Sequence, residues 1–81
     1  MVKGMTTKAA PTLSTIERML DDVEEYARAV QDLRRKLRRH KPGSEAYHNL
    51  LPGLSVQVDV LRLKAQHAAQ ALEEYEESLF D

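Results

Sequence analysis

Apolar residues spaced by threes and fours recur on both sides of a single proline–glycine break, and this pattern leaves the chain few folds to choose from. On the first side Leu13, Ile16, Leu20, Val23, Ala27, Val30, Arg34 and Leu37 keep the rhythm, with Arg34 as its one polar interruption. Side chains at that spacing share one face of an α-helix. Met19, Tyr26 and Leu33 recur every seventh residue beside the seam and widen it into a face. The start is signalled by "TLSTIERML" after Pro11, where Thr12 or Ser14 can serve as N-cap and Ser14 with Glu17 has the spacing of a capping box. One helix is expected from about residue 12 to about residue 40, roughly 43 Å long.

The segment "HKPGSE" then ends it. The residue before Pro42 is driven out of the helical region, Gly43 can take positive φ, and Ser44 can cap a second helix. A link this short makes the two helices antiparallel neighbours. The next stretch is ambiguous, because "LSVQVDVLRL" alternates apolar and polar as a half-buried strand would. Yet Tyr47, Leu51, Leu54, Val58, Leu61, Ala65, Ala68, Leu72, Tyr75 and Leu79 carry the four-three spacing through it without a break. Helix is therefore expected from about residue 44 to about residue 79. Pro52 lies inside that span and, having no N–H, removes the hydrogen bond that the His48 carbonyl would accept, so a kink, or a short helix followed by a long one, is expected there.

The fold class that results is all-α, an antiparallel two-helix hairpin of coiled-coil type formed by residues 12–81, with residues 1–11 expected to be a disordered tail. Folded about residues 41–43, the hairpin sets Leu37 against Tyr47, Val30 against Leu54, Val23 against Leu61 and Ile16 against Ala68. Tyr75, Leu79 and Phe80 then project past Leu13 with no cover from their own chain. An 81-residue chain buries only about 60 to 65% of its unfolded surface, so such a domain is marginally stable by itself.

One feature of the second helix exceeds what a hairpin needs. Val56, Val60, Leu63 and His67 form a further apolar line on the side away from the first helix. Each exposed Val or Leu that finds a partner gains about 1.5 to 3 kcal/mol, so this line identifies a partner-binding face, joined by Met19, Tyr26 and Leu33 of the first helix. The partner is a helical protein or a second copy of the chain, the latter giving a homodimeric four-helix bundle that acts as an adaptor or regulator. Isolated exposed apolar residues are also ordinary on protein surfaces.

Charge narrows the choice further. Arg34, Arg35, Lys36, Arg38, Arg39 and Lys41 place six of the twelve Lys and Arg residues beside the turn, whereas Glu73, Glu74, Glu76, Glu77 and Asp81 make the opposite end acidic. The net charge of −1 argues against a generally basic nucleic-acid binder. These arginines point around the helix instead of along one stripe, and cations are favoured at a helix C-terminus by its dipole. RNA binding through the basic turn is accordingly the lesser reading, and an acidic protein partner lies between the two. Glu45 and His48 have the Glu-x-x-His spacing of di-iron bundles, but such a site needs a second copy of the motif and further inward carboxylates, so no metal or other cofactor is expected. There is no cysteine, and no nucleophile elbow or phosphate-binding loop, so an enzyme is not expected either. The first residues lack the apolar core of a secretory signal and no stretch reaches the length of a membrane span, from which a cytoplasmic location and no membrane contact are expected.

Three stretches carry a family resemblance. "VQDLRRKLRRH" ends an amphipathic helix in basic residues, "PGSEAYHNL" supplies a tight turn followed by a tyrosine, and "VLRLKAQHAAQAL" is an Ala- and Leu-rich second helix. Across residues 13–72 the chain resembles the small helical-hairpin co-chaperones of the type III secretion needle subunit. Pro52-Gly53 and the acidic "EEYEESLFD" depart from that pattern. The resemblance implies a protein that packs beside a helical-repeat chaperone and helps keep the self-polymerising needle subunit soluble before export.

Overall fold

The computed structural model describes residues 10–80, which form two helices and, among these residues, no strand. Helix α1 spans Leu13–Arg38 and α2 spans Glu45–Phe80. They fold back on each other as an antiparallel hairpin, a rod measuring 62 × 21 × 15 Å. The expected disordered tail falls outside the described residues except for Ala10 and Pro11, which precede the helix.

Local chemistry accounts for each boundary. Thr12 is the N-cap of α1, with extended backbone, and its hydroxyl accepts from the Thr15 N–H at 3.2 Å. The capping box expected at Ser14 and Glu17 is not the one used, because Ser14 already lies inside the first turn. At the other end the Arg39 and His40 N–H groups bond to the carbonyls of Lys36 and Leu37, both at 3.1 Å. Gly43 turns the chain with φ of 90°, a conformation that costs a side-chain-bearing residue most. The Tyr47 N–H donates to Ser44 Oγ at 3.2 Å, so Ser44 caps α2 as its position implies.

Helix α2 is continuous through Pro52, which rules out the expected break into a short and a long segment. A proline inside a helix costs about 3 kcal/mol, and continuity means that helix packing on both sides of it outweighs that cost. Pro52 and Gly53 are both exposed, so the proline ring disturbs the backbone of its own helix without disturbing the contact with α1.

The seam between the helices keeps one expected column on each helix and shifts the other. The seam on α1 is lined by Ile16, Met19, Val23, Tyr26, Val30, Leu33 and Leu37 and on α2 by Tyr47, Leu50, Leu54, Gln57, Leu61, Lys64, Ala68, Ala71 and Tyr75, with Asp22, Ala27, Ala29, Val60 and Glu74 half-buried at its edges. The columns of Ile16 and of Tyr47 are those expected. Their companions differ: Met19, Tyr26 and Leu33, expected beside the seam, line it while Leu20 and Arg34 are exposed and Ala27 stays half-buried at its edge, and on α2 Leu50, Gln57, Lys64 and Ala71 replace Leu51, Val58, Ala65 and Leu72. On α1 the substitution has a plain cause: it exchanges an arginine for a leucine and an alanine for a tyrosine. On α2 the choice is more polar. It places Ala68 and Ala71, 3% and 6% exposed, at the level of Ile16, 2% exposed, where small side chains let two helices approach closely.

Candidate functional site

A seam two columns wide on each helix divides the hairpin surface into two flanks. On one of them α1 contributes Asp22 and Ala29 and α2 contributes Val60, His67 and Glu74, polar toward the open end and apolar toward the turn. Lys64 leans from the seam toward this side, where its Nζ is 4.0 Å from Asp22 Oδ2 and 5.8 Å from the centre of the Tyr26 ring. Asp22, Lys64, Met19 and His67 line one shallow hollow there, and Met19, His67, Gln70, Ala71 and Glu74 line another. These contacts also place the helices within a turn of the register expected from Ile16 and Ala68.

The columns on the far side of the seam compose the opposite flank. On α1 that column is Leu13, Leu20, Ala27 and Arg34; on α2 it is Leu51, Val58, Ala65, Leu72 and Leu79. In an antiparallel pair, residues that follow the seam in the same heptad sense on each helix fall on the same side. Six of the nine large apolar side chains exposed among the described residues, Leu13, Leu20, Leu51, Val58, Leu72 and Leu79, therefore belong to one continuous face. It runs nearly the length of the hairpin and is bordered by Arg34 near the turn. Periodicity read as a single seam does not reveal this face, because it assigns all of these residues except Leu79 to the hairpin's core.

The expected partner-binding residues fall into two groups. Val56 and Leu63 are 58% and 45% exposed on the back of α2, whereas Val60 is half-buried beside the seam and His67, though exposed, lines hollows with Met19 and Asp22 of α1, so neither lies on the side away from the first helix as expected. Met19, Tyr26 and Leu33, expected beside the seam and as part of the partner-binding face, are half-buried in the seam itself, with Tyr26 under Lys64 of α2 and Met19 beside His67 and Ala71. The overhang is likewise smaller than expected at its base. Tyr75 is half-buried, while Leu79 and Phe80 are open, and Ser78 Oγ donates to the Tyr75 carbonyl at 2.7 Å.

The basic residues at the turn, Arg34, Arg35, Lys36, Arg38, Arg39 and Lys41, are all exposed. Arg35 is held by Asp32 at 2.9 Å, and Arg35, Lys36 and Arg38 occupy the last turn of α1, where they offset the carbonyl end of its dipole. Glu45 and His48 are exposed in the first turn of α2, where His48 meets the edge of Tyr47 with ring centres 6.3 Å apart. Among the described residues no three His, Cys, Asp or Glu side chains converge as metal ligands would. None of the described helices is long and apolar enough to cross a membrane.

The arrangement defines an antiparallel helical hairpin with one polar flank and one apolar flank. Compared with family models, with curated proteins and with solved structures, the chain matches none.

Proposed function

We propose that this protein is a non-enzymatic interaction module that works by burying helix faces against another helical polypeptide. One observation carries the reading: Ile16, Ala68 and Ala71 are the buried apolar residues among those described, against nine large apolar side chains left exposed. A domain whose own core is this small gains from any partner that covers such surface, at about 25 cal/mol for each Å² removed from water. Two surfaces offer it, the two-helix flank and the Val56 and Leu63 line on the back of α2.

A more specific form of the proposal is a cytoplasmic co-chaperone of type III secretion, which accompanies a helical-repeat chaperone in holding the needle subunit soluble. Its support is the resemblance of the turn and its flanking helices over residues 13–72, together with surplus apolar surface of the kind a helical groove accepts. In this form the Val56 and Leu63 line takes the chaperone. Val56→Asp with Leu63→Asp is expected to abolish capture of a chaperone and needle-subunit pair by the tagged protein while circular dichroism keeps its helical signal. Retained capture refutes that line as the partner face. Loss of helicity instead assigns the line to the hairpin's own stability.

A further inference from the structure

The apolar flank has an internal symmetry that singles out one kind of occupant. Its α2 column runs Leu51, Val58, Ala65, Leu72 and Leu79, with the one small side chain in the middle and large ones at equal steps on either side. An antiparallel copy centred on Ala65 sets Leu72 against the partner's Val58 and Leu79 against the partner's Leu51. The two alanines meet at the axis, where bulk would hold the helices apart. On α1 the same operation brings Leu20 against its own copy and Leu13 against Ala27. Every member of the face then meets an apolar side chain, apart from Arg34 at the border.

Charge selects the same orientation. Arg34, Arg35, Lys36, Arg38, Arg39 and Lys41 gather at the turn, and Glu73, Glu74, Glu76 and Glu77 gather at the open end. Two hairpins packed with their turns together bring like charges together at both ends. Packed head to tail, each places its basic turn beside the other's acidic end, with Arg34 and Arg35 about a helical turn from the level of Glu76 and Glu77. The same packing lays the uncovered end of α2, with exposed Leu79, alongside the partner's Leu51 near the start of its α2.

We propose that this flank is a homodimer interface on which a second copy packs head to tail, forming a four-helix bundle with Ala65 on the two-fold axis. The inference rests on the reading of the protein as an interaction module and names the partner at one of its two surfaces.

The chain contains no cysteine, so single-cysteine variants report the geometry without background. Ala65→Cys is expected to form a disulfide-linked dimer under mild oxidation in buffer and to fail to do so in denaturant. A turn-to-turn dimer instead brings Ala65 near the other copy's Leu20. In that case Ala65→Cys alone does not link, a mixture of Leu20→Cys and Ala65→Cys chains does, and the head-to-tail proposal is overturned. Sedimentation equilibrium of the unmodified chain is expected to give twice the 9.2 kDa monomer mass. Leu72→Asp is expected to weaken the dimer by roughly a hundredfold, with Leu63→Asp leaving it unchanged. Should Leu72→Asp unfold the hairpin, surface charge serves in its place. Glu76→Lys with Glu77→Lys is expected to weaken self-association by about tenfold, and mixing with an Arg34→Glu, Arg35→Glu chain to restore it. A chain that stays monomeric throughout overturns the dimer alone, because capture of a different protein through Val56 and Leu63 tests the broader reading independently.

Discussion

The two flanks of this hairpin share one seam and differ in almost everything else. On the polar flank, Lys64 lies within ion-pair distance of Asp22 and over the Tyr26 ring, so these two charges have a partner within the chain. On the apolar flank Leu13, Leu20, Val58 and Leu72 have no such internal complement and stand exposed. A charged flank satisfies itself in water, whereas an apolar flank can be satisfied only by another surface. The contrast teaches that the seam's position, more than the total apolar content, determines how much surface a small helical protein has to offer.

The largest effect is expected where the flanks depend on the same side chain. Ile16 is the most deeply buried residue described, and Ile16→Ala removes its contacts at the level of Ala68 and Ala71. Truncations of this kind cost about 2 to 5 kcal/mol, a large part of the stability of a domain this small. Thermal melting followed by circular dichroism is expected to show a much lower midpoint or no folded baseline. If the midpoint hardly moves, the hairpin is held together by something other than this seam.

Gln57 allows the comparison to be sharpened in the stabilising direction. Its Oε1 is buried without a hydrogen-bond partner among the described residues, in the column where Val58 was expected. Leaving a buried acceptor unpaired costs about 1 to 3 kcal/mol, and Gln57→Leu removes that cost while adding apolar area to the seam. The variant is expected to melt at a higher temperature with self-association unchanged. A fall in stability would mean that the Gln57 amide has a partner in solution, such as an ordered water.

These residues also explain how far the sequence could be read. Both helices, the glycine turn, the Ser44 cap and the antiparallel hairpin follow from spacing and local chemistry alone. The columns of Ile16 and Tyr47 follow from periodicity as well. What periodicity leaves open is the companion column, because a step of three followed by four and a step of four followed by three are the same rhythm seen from different neighbours. Choosing Leu33 over Arg34 depends on weighing side chains within α1. Choosing Gln57 over Val58 depends on how closely α2 approaches α1 beside its alanines, and only the packed pair determines that. The apolar flank was hidden for this reason: its residues complete a regular seam on paper, and they are the ones the folded hairpin leaves out. Thr12 as N-cap was legible only as one of two options, since Ser14 carries the better capping-box spacing and lies two residues too far along the chain.

The Thr12 cap provides a mid-sized test that belongs to neither flank. Thr12→Ala deletes the acceptor for the Thr15 N–H, and losses of this kind cost about 1 kcal/mol. Stability is expected to fall by that amount with dimer affinity little changed. Ser14→Ala is expected to be nearly silent, and a larger loss from Ser14 than from Thr12 would show that the capping box forms after all.

The smallest effect is expected on the polar flank. Asp22 and Lys64 are 47% and 40% exposed at their side chains, with 4.0 Å between the charged atoms, so water screens most of their attraction. A double-mutant cycle with Asp22→Ala and Lys64→Ala is expected to return a coupling of about 0.2 to 1 kcal/mol that shrinks as salt is added. Lys64 stands in the seam, and Lys64→Leu replaces a half-screened charge with apolar area facing Tyr26. That exchange is expected to leave stability the same or higher, because a long apolar side chain keeps the packing that the lysine stem provides. A strong coupling, or a marked loss on Lys64→Leu, would make the polar flank a structural clamp. The contrast between a self-sufficient side and a side that needs a partner would then have to be drawn from the apolar face alone.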